Sequence, residues 1–128
     1  MSKKRILIVD DEPQISRLAK AILDSTELYE TIEEHRSNRA IATMRDFQPD
    51  LVFLDVDMPG LDGGEIASRI NADPSLRNTP VVFLTALVSD SDVAQAKQRG
   101  GFRYLAKPAS VSALLGCVEE MLGAPVQT

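Results

Sequence analysis

The hydrophobic positions of the chain form short apolar runs of strand length. Three runs are clear, at Ile6–Val9, Leu51–Leu54 and Val81–Leu84, and a weaker one lies at Phe102–Leu105. Continuous runs rich in Val and Ile are typical of parallel strands that are buried on both faces. The segment Tyr29–Glu34 predicts an additional edge strand.

Between these runs, apolar residues recur at the i, i+3, i+4 and i+7 spacing of amphipathic helices. The spacing predicts helices around 15–23 and 111–122, and weaker patterns cover Asn38–Phe47, Gly64–Asn71 and Ser89–Arg99. Strands and helices therefore alternate along the chain. This alternation predicts an α/β fold in which right-handed crossovers place helices on both faces of a parallel sheet.

Composition narrows the class of protein. A chain of 128 residues, 44% hydrophobic and 26% charged, is typical of one globular domain. The net charge of −5 argues against direct nucleic-acid binding. No apolar run has the length of a membrane span or a signal peptide, so we expect a cytoplasmic protein without membrane contact. The single cysteine, Cys117, allows no internal disulfide and favours a reducing compartment.

Polar residues of complementary chemistry follow the ends of four predicted strands. They are Asp10, Asp11 and Glu12, then Asp55, then Thr85, and finally Lys107. Each alone could be an ordinary turn or capping residue, and Asp11 or Glu12 could cap the first helix. Because ligands of open α/β sheets bind at the carboxyl ends of the strands, we expect all of them to converge in one shallow cleft.

Such a cleft has a restricted chemistry. Clustered carboxylates repel one another unless a cation lies among them, and hard oxygen ligands suit Mg²⁺. The sequence has no Cys and His cluster of the kind that zinc prefers. A Mg²⁺ ion opposite a lysine and near a hydroxyl can clamp a phosphoryl group during in-line transfer, and one carboxylate could be the nucleophile.

Four stretches of the chain, in this order and spacing, resemble the receiver domain of two-component response regulators: ILIVDDEP, PDLVFLDVDMPGLDGGE, TPVVFLTA and YLAKP. The resemblance covers nearly the whole chain. It implies a flavodoxin-like, doubly wound (βα)5 three-layer sandwich with a five-stranded parallel sheet of order 2-1-3-4-5. We expect the receiver domain to span residues 1–123, with 124–128 as a C-terminal tail or the start of a linker.

The resemblance also implies roles for individual residues. Asp55 would accept a phosphoryl group from a phosphohistidine on a sensor histidine kinase or phosphotransfer protein. Asp11, Asp55 and the main-chain carbonyl of Asp57 would ligate Mg²⁺ directly, while Asp10 would act mostly through water. Asp57 departs from the neutral or apolar residue usual at its position, which predicts an effect on Mg²⁺ affinity or phosphoryl lifetime.

The remaining implied residues belong to a switch. Lys107 would pair with one phosphoryl oxygen, Thr85 would hydrogen-bond to another, and Tyr104 would swing inward as Thr85 moves. The readout would lie on the last strand and the predicted fourth and fifth helices, where a downstream effector or output domain would bind. The resemblance and the chemistry of X-Pro bonds make Pro108 the candidate for a cis peptide bond.

Two further expectations come from single residues. The last predicted helix carries Glu119 and Glu120 but no Lys or Arg, so we expect a monomer, with a phospho-dependent dimer as the alternative. His35, the one histidine, predicts a surface or loop role and not a ligand role.

Two rival functions use similar residues. A phosphatase of the haloacid-dehalogenase type also has a strand-terminal Asp-x-Asp, but there that motif comes first along the chain and the acidic pair last. A receiver-like binding module that is never phosphorylated would need none of the reactive groups. The receiver reading makes the protein a signalling switch and not an enzyme with a separate substrate.

Overall fold

The computed structural model describes residues 3–56, 58–60, 62–86 and 103–123. Within them lie five strands and four α-helices, and no helix there is long and apolar enough to cross a membrane. In chain order they are β1 (Lys4–Val9), α1 (Pro13–Ser25), β2 (Tyr29–Glu34), α2 (Ala40–Phe47), β3 (Leu51–Asp55), α3 (Gly63–Ala72), β4 (Val81–Thr85), β5 (Arg103–Ala106) and α4 (Val111–Leu122). A single 3-10 turn, Ser37–Arg39, precedes α2. The helix predicted at Ser89–Arg99 lies outside the described residues.

The five strands form one sheet of order β2-β1-β3-β4-β5, and every neighbouring pair is parallel. This confirms the predicted α/β class and strand order. The register pairs Val9 with Leu54, Asp55 with Leu84, and Thr85 with Ala106. The carboxyl ends of the four strands β1, β3, β4 and β5 therefore lie at one edge of the sheet.

The core has two halves, one on each face of the sheet, because successive side chains of a strand point to opposite faces. One face of β1 and β3 packs against α2 and α3, and the other packs against α1 and α4. The first half includes Leu7, Val9, Val52, Leu54, Met44, Ile66 and Ile70. The second includes Ile6, Ile8, Leu51, Phe53, Leu23, Leu114 and Val118. The predicted three-layer arrangement is confirmed.

Helices α1 and α3 begin shortly after the ends of β1 and β3. Pro13 occupies the first turn of α1, where its missing N–H costs nothing. Glu12 lies at the N-cap position, but its side chain makes no capping hydrogen bond, so the possibility that Glu12 caps this helix is wrong. Asp62 does cap α3, accepting a hydrogen bond from the Glu65 N–H at 2.8 Å.

Candidate functional site

Asp10 and Asp55 lie at the carboxyl ends of two adjacent interior strands, β1 and β3. Their side chains are 0% and 2% exposed, respectively. The Asp10 N–H donates to the Glu34 carbonyl at 3.1 Å, which continues the pairing of β1 with β2. Asp10 Oδ1 accepts a hydrogen bond from the Glu12 N–H at 2.9 Å and so shapes the turn into α1. Both carboxylates are therefore enclosed at the carboxyl end of the sheet.

These two carboxylates belong to a larger acidic cluster. One oxygen from each of Asp10, Asp11, Glu12 and Asp55 lies within 4.8 Å of the others. Asp10 Oδ2 is buried and accepts no hydrogen bond among the described residues. A buried carboxylate oxygen grouped with further carboxylates fits a hard divalent cation, and the all-oxygen donor set fits Mg²⁺. Asp57, the other predicted ligand, lies outside the described residues.

Lys107, which follows β5, brings a cation to the cluster. Its Nζ lies 2.9 Å from Glu12 Oε1, 3.1 Å from Asp10 Oδ2 and 3.2 Å from Asp55 Oδ2. Its side chain is only 7% exposed. Burial alone would lower the pKa of Lys107, but hydrogen bonds to Glu12 and Asp10 and the charges of Asp10 and Asp55 outweigh burial and raise it. The ammonium therefore keeps its charge.

The remaining residues implied by the resemblance lie on the neighbouring strands. Thr85 ends β4, and its carbonyl accepts a hydrogen bond from the Lys107 N–H at 2.9 Å. Tyr104 is half-buried on β5, and its ring stacks on Phe83 with centroids 5.1 Å apart and planes at 34°. The Lys107–Pro108 bond is cis, the form expected for it. The structure therefore brings Asp10, Asp55, Thr85 and Lys107 to the same edge of the sheet, as the order of the strands predicted.

Two described residues that follow β3, Pro59 and Gly63, lie close to neighbouring segments. A Cβ at Gly63 would lie 2.7 Å from the Asp55 carbonyl oxygen and 3.0 Å from Val56 Cα. The Ser37 Oγ donates to the Pro59 carbonyl at 2.9 Å, which ties this loop to the turn before α2. Sequence reasoning assigned no role to Ser37 or Gly63. The double glycine in LDGGE was the only available signal, and it does not say which atoms approach.

A second unpredicted network joins β2 to the first turns of α1. The buried Ser16 Oγ donates to Glu33 Oε1 at 2.5 Å, and His35 Nε2 lies 3.0 Å from Ser16 Oγ and 3.2 Å from Glu33 Oε1. Burial would raise the pKa of Glu33, but hydrogen bonds from Ser16 and His35 outweigh it and lower the pKa. His35 lies just after β2, in the loop position expected, and contacts the first turn of α1 through Ser16.

The family profile of the response regulator receiver domain matches residues 6–119 of this chain. The chain therefore belongs to this family of receiver domains. The haloacid-dehalogenase alternative is wrong, because the family match assigns the chain to the receiver domains.

Individual relatives agree with this assignment. The chain is 29% identical over 120 residues to the polar-differentiation response regulator DivK of Brucella anthropi, covering 94% of this chain and 97% of that protein. It is similar to a putative response regulator of Chloroflexus aurantiacus, with a TM-score of 0.84 at 27% identity, covering 96% and 100% of the two chains. It also resembles the signal receiver domain of a signal transduction histidine kinase from Syntrophus aciditrophicus, with a TM-score of 0.80 at 31% identity, covering 98% and 94%.

Proposed function

We propose that Asp55 accepts a phosphoryl group from a phosphohistidine on a sensor kinase or phosphotransfer protein. A carboxylate oxygen of Asp55 forms a bond to phosphorus while the phosphorus–nitrogen bond breaks, and the imidazole leaves with the electron pair and takes up a proton. The observation that carries this proposal is the buried, charged Lys107, whose Nζ lies 3.2 Å from Asp55 Oδ2 within the acidic cluster.

The residues around Asp55 have two roles, which are binding of Mg²⁺ and binding of the phosphoryl group. Asp10, Asp11 and Asp55 supply oxygens for Mg²⁺, which when bound neutralises charge on the transferring phosphoryl oxygens. The resemblance adds the main-chain carbonyl of Asp57 to this set. Lys107 pairs with a phosphoryl oxygen, as its charge and its position beside Asp55 support. The extra carboxylate of Asp57 tunes Mg²⁺ affinity or phosphoryl lifetime, which Asp57→Asn would test.

The family's members are signalling switches, and the phosphoryl group supplies the driving force for switching. It adds about −1.5 to −2 charges and three acceptor oxygens, which draw Thr85 and Lys107 inward. Tyr104 follows Thr85 and changes the surface formed by β5, α4 and the helix predicted at Ser89–Arg99. A downstream effector or output domain reads this surface. The 1–123 domain boundary, the monomeric state and the cytoplasmic location stay predictions.

Intact mass spectrometry after incubation with acetyl phosphate and Mg²⁺ tests the proposal. We expect a gain of one phosphoryl group in the wild type, no gain in Asp55→Asn, and a normal gain in the control Asp24→Asn, which changes an exposed carboxylate on α1 paired with Lys20. Turnover of many equivalents of an aryl phosphate would indicate a phosphatase. A protein that is not modified and does not hydrolyse the aryl phosphate would be a binding module. Phosphatase turnover, or the absence of both reactions, would contradict the proposal.

A further inference from the structure

Glu12 is the solvent-exposed member of the carboxylates around Lys107. Its side chain is 49% exposed, whereas Asp10 and Asp55 are enclosed. Glu12 Oε1 lies 2.9 Å from Lys107 Nζ, and the side chain makes no capping bond to α1. The Glu12 carboxylate is therefore held by a lysine 95 positions away and not by the helix that it precedes.

The Lys107 ammonium has three N–H donors. Three carboxylates lie within 3.2 Å of its nitrogen before any phosphoryl group is present. A phosphoryl oxygen that binds Lys107 must therefore compete with one of these partners. Asp10 is buried and also accepts a hydrogen bond from the Glu12 N–H, so displacing Asp10 from Lys107 costs free energy. Displacing Glu12 from Lys107 costs the least free energy, because water can solvate its half-exposed carboxylate.

We propose that Glu12 is a positioning residue that holds Lys107 until a phosphoryl group forms on Asp55 and then releases it. Glu12 thereby opposes the phosphorylated state, since its carboxylate and the phosphoryl group are anions that share one ammonium and repel each other. This inference rests on the proposed phosphorylation of Asp55. It assigns Glu12 to the control of how readily that state forms.

The hold of Glu12 on Lys107 is testable without metal. Glu12→Gln also relieves repulsion from the other carboxylates, so this variant alone does not measure the interaction energy between Glu12 and Lys107. A double-mutant cycle that adds Lys107→Met measures that energy. We expect Glu12→Gln to lower the folding equilibrium constant by about threefold more when Lys107 is present than in the Lys107→Met background. Urea denaturation in EDTA measures this, and the absence of coupling would overturn the proposal.

The release of Lys107 is testable with beryllofluoride, a stable mimic of an aspartyl phosphoryl group. Binding is measured by fluorine NMR at a Mg²⁺ concentration that saturates each variant, which removes any difference in metal affinity. We expect Glu12→Gln to bind beryllofluoride about threefold more tightly than the wild type, and Glu12→Asp to stay near the wild type because the charge is kept.

Glu30→Gln is the matched control. Glu30 pairs with Arg5 at 3.6 Å near the opposite end of the sheet, so its substitution gives the same change in net charge away from the site. An equal gain in Glu30→Gln, or no gain in Glu12→Gln, would overturn the role of Glu12 while leaving Asp55 phosphorylation intact. Failure of the wild type to bind beryllofluoride would contradict the proposed function and the release step together.

Discussion

Lys107 stays charged in an enclosed site because carboxylates surround it. Burial of an unpaired ammonium is unfavourable, but Asp10, Glu12 and Asp55 all lie within 3.2 Å of Nζ. The dependence is mutual, since Asp10 and Asp55 are themselves buried anions. One cation therefore offsets the repulsion within the acidic cluster when no metal is present.

Replacement of Lys107 by Met should destabilise the metal-free protein by about 3 kcal/mol, since it leaves buried carboxylates without their cation. Saturating Mg²⁺ should restore a large part of this loss, because the metal supplies positive charge to the same oxygens. Urea denaturation with Mg²⁺ and with EDTA measures both quantities. An equal loss under the two conditions would mean that Lys107 acts through packing and not through charge.

At the scale of elements, the start of α3 is held against the end of β3. The Cβ that Gly63 lacks would lie 2.7 Å from the Asp55 carbonyl oxygen, a contact with backbone that cannot turn aside. The start of this helix directly beside Asp55 therefore favours glycine at this position. Close packing of α3 and the geometry of the site depend on the same residue.

Gly63→Ala should destabilise the domain by about 1–3 kcal/mol through overpacking and should slow modification of Asp55 by acetyl phosphate. Gly116→Ala is the control, because a Cβ there meets nothing within 4 Å and lies within α4. We expect Gly116→Ala to stabilise the domain by about 0.5–1 kcal/mol through helix propensity. Denaturation midpoints measure both effects, and equal effects of the two substitutions would contradict the role of Gly63.

The network of Ser16, Glu33 and His35, which connects α1 to β2, should make the folding stability depend on pH in the acidic range. The pKa of Glu33 is lowered in the folded protein below its ordinary value of 4.5. A carboxylate with a lowered folded pKa stabilises the fold above its unfolded pKa, and this contribution is lost as the pH falls through the folded pKa.

Glu33→Gln should therefore destabilise the protein at neutral pH, and the difference from the wild type should shrink as the pH falls below 4.5. Urea denaturation across this pH range measures the difference. Glu30→Gln serves as the comparison, because Glu30 is exposed and lies on the same strand. A difference between wild type and Glu33→Gln that does not change with pH would contradict the role of the Glu33 charge.

At the scale of the whole molecule, binding of Mg²⁺ should couple to global stability. The chain carries a net charge of −5, and the acidic cluster concentrates part of it at one edge of the sheet. A ligand that binds only the folded state stabilises it by mass action, which gives about 2.7 kcal/mol at a hundred times the dissociation constant.

We expect the thermal midpoint of the wild type to rise with Mg²⁺ concentration and that of Asp11→Asn to rise much less. Asp11 lies in the cluster, but among the described residues the ion pairs of Lys107 are with Asp10, Glu12 and Asp55. Substitution of Asp11 therefore changes the metal site and leaves the partners of Lys107 in place. Differential scanning calorimetry measures the midpoints. The same rise in both proteins would place Mg²⁺ elsewhere.

The sequence by itself determined the order of strands and helices and the residues at the strand ends. The run Leu51–Leu54 and its following Asp55 fixed a buried strand with a carboxylate at its end, because periodicity and burial are properties of neighbouring residues. Since parallel strands align their carboxyl ends, convergence of Asp10, Asp55 and Lys107 also followed from the sequence. The implied strand order proved correct.

Only the tertiary structure decided which distant partners those residues meet. It pairs Glu12 with Lys107 instead of with α1, places Gly63 against Asp55, and joins Ser16 to Glu33. Local patterns specify the backbone conformation and the buried face of a segment. The direction of a polar side chain depends on charges and packing from other segments, and these are in place only once the sheet has assembled.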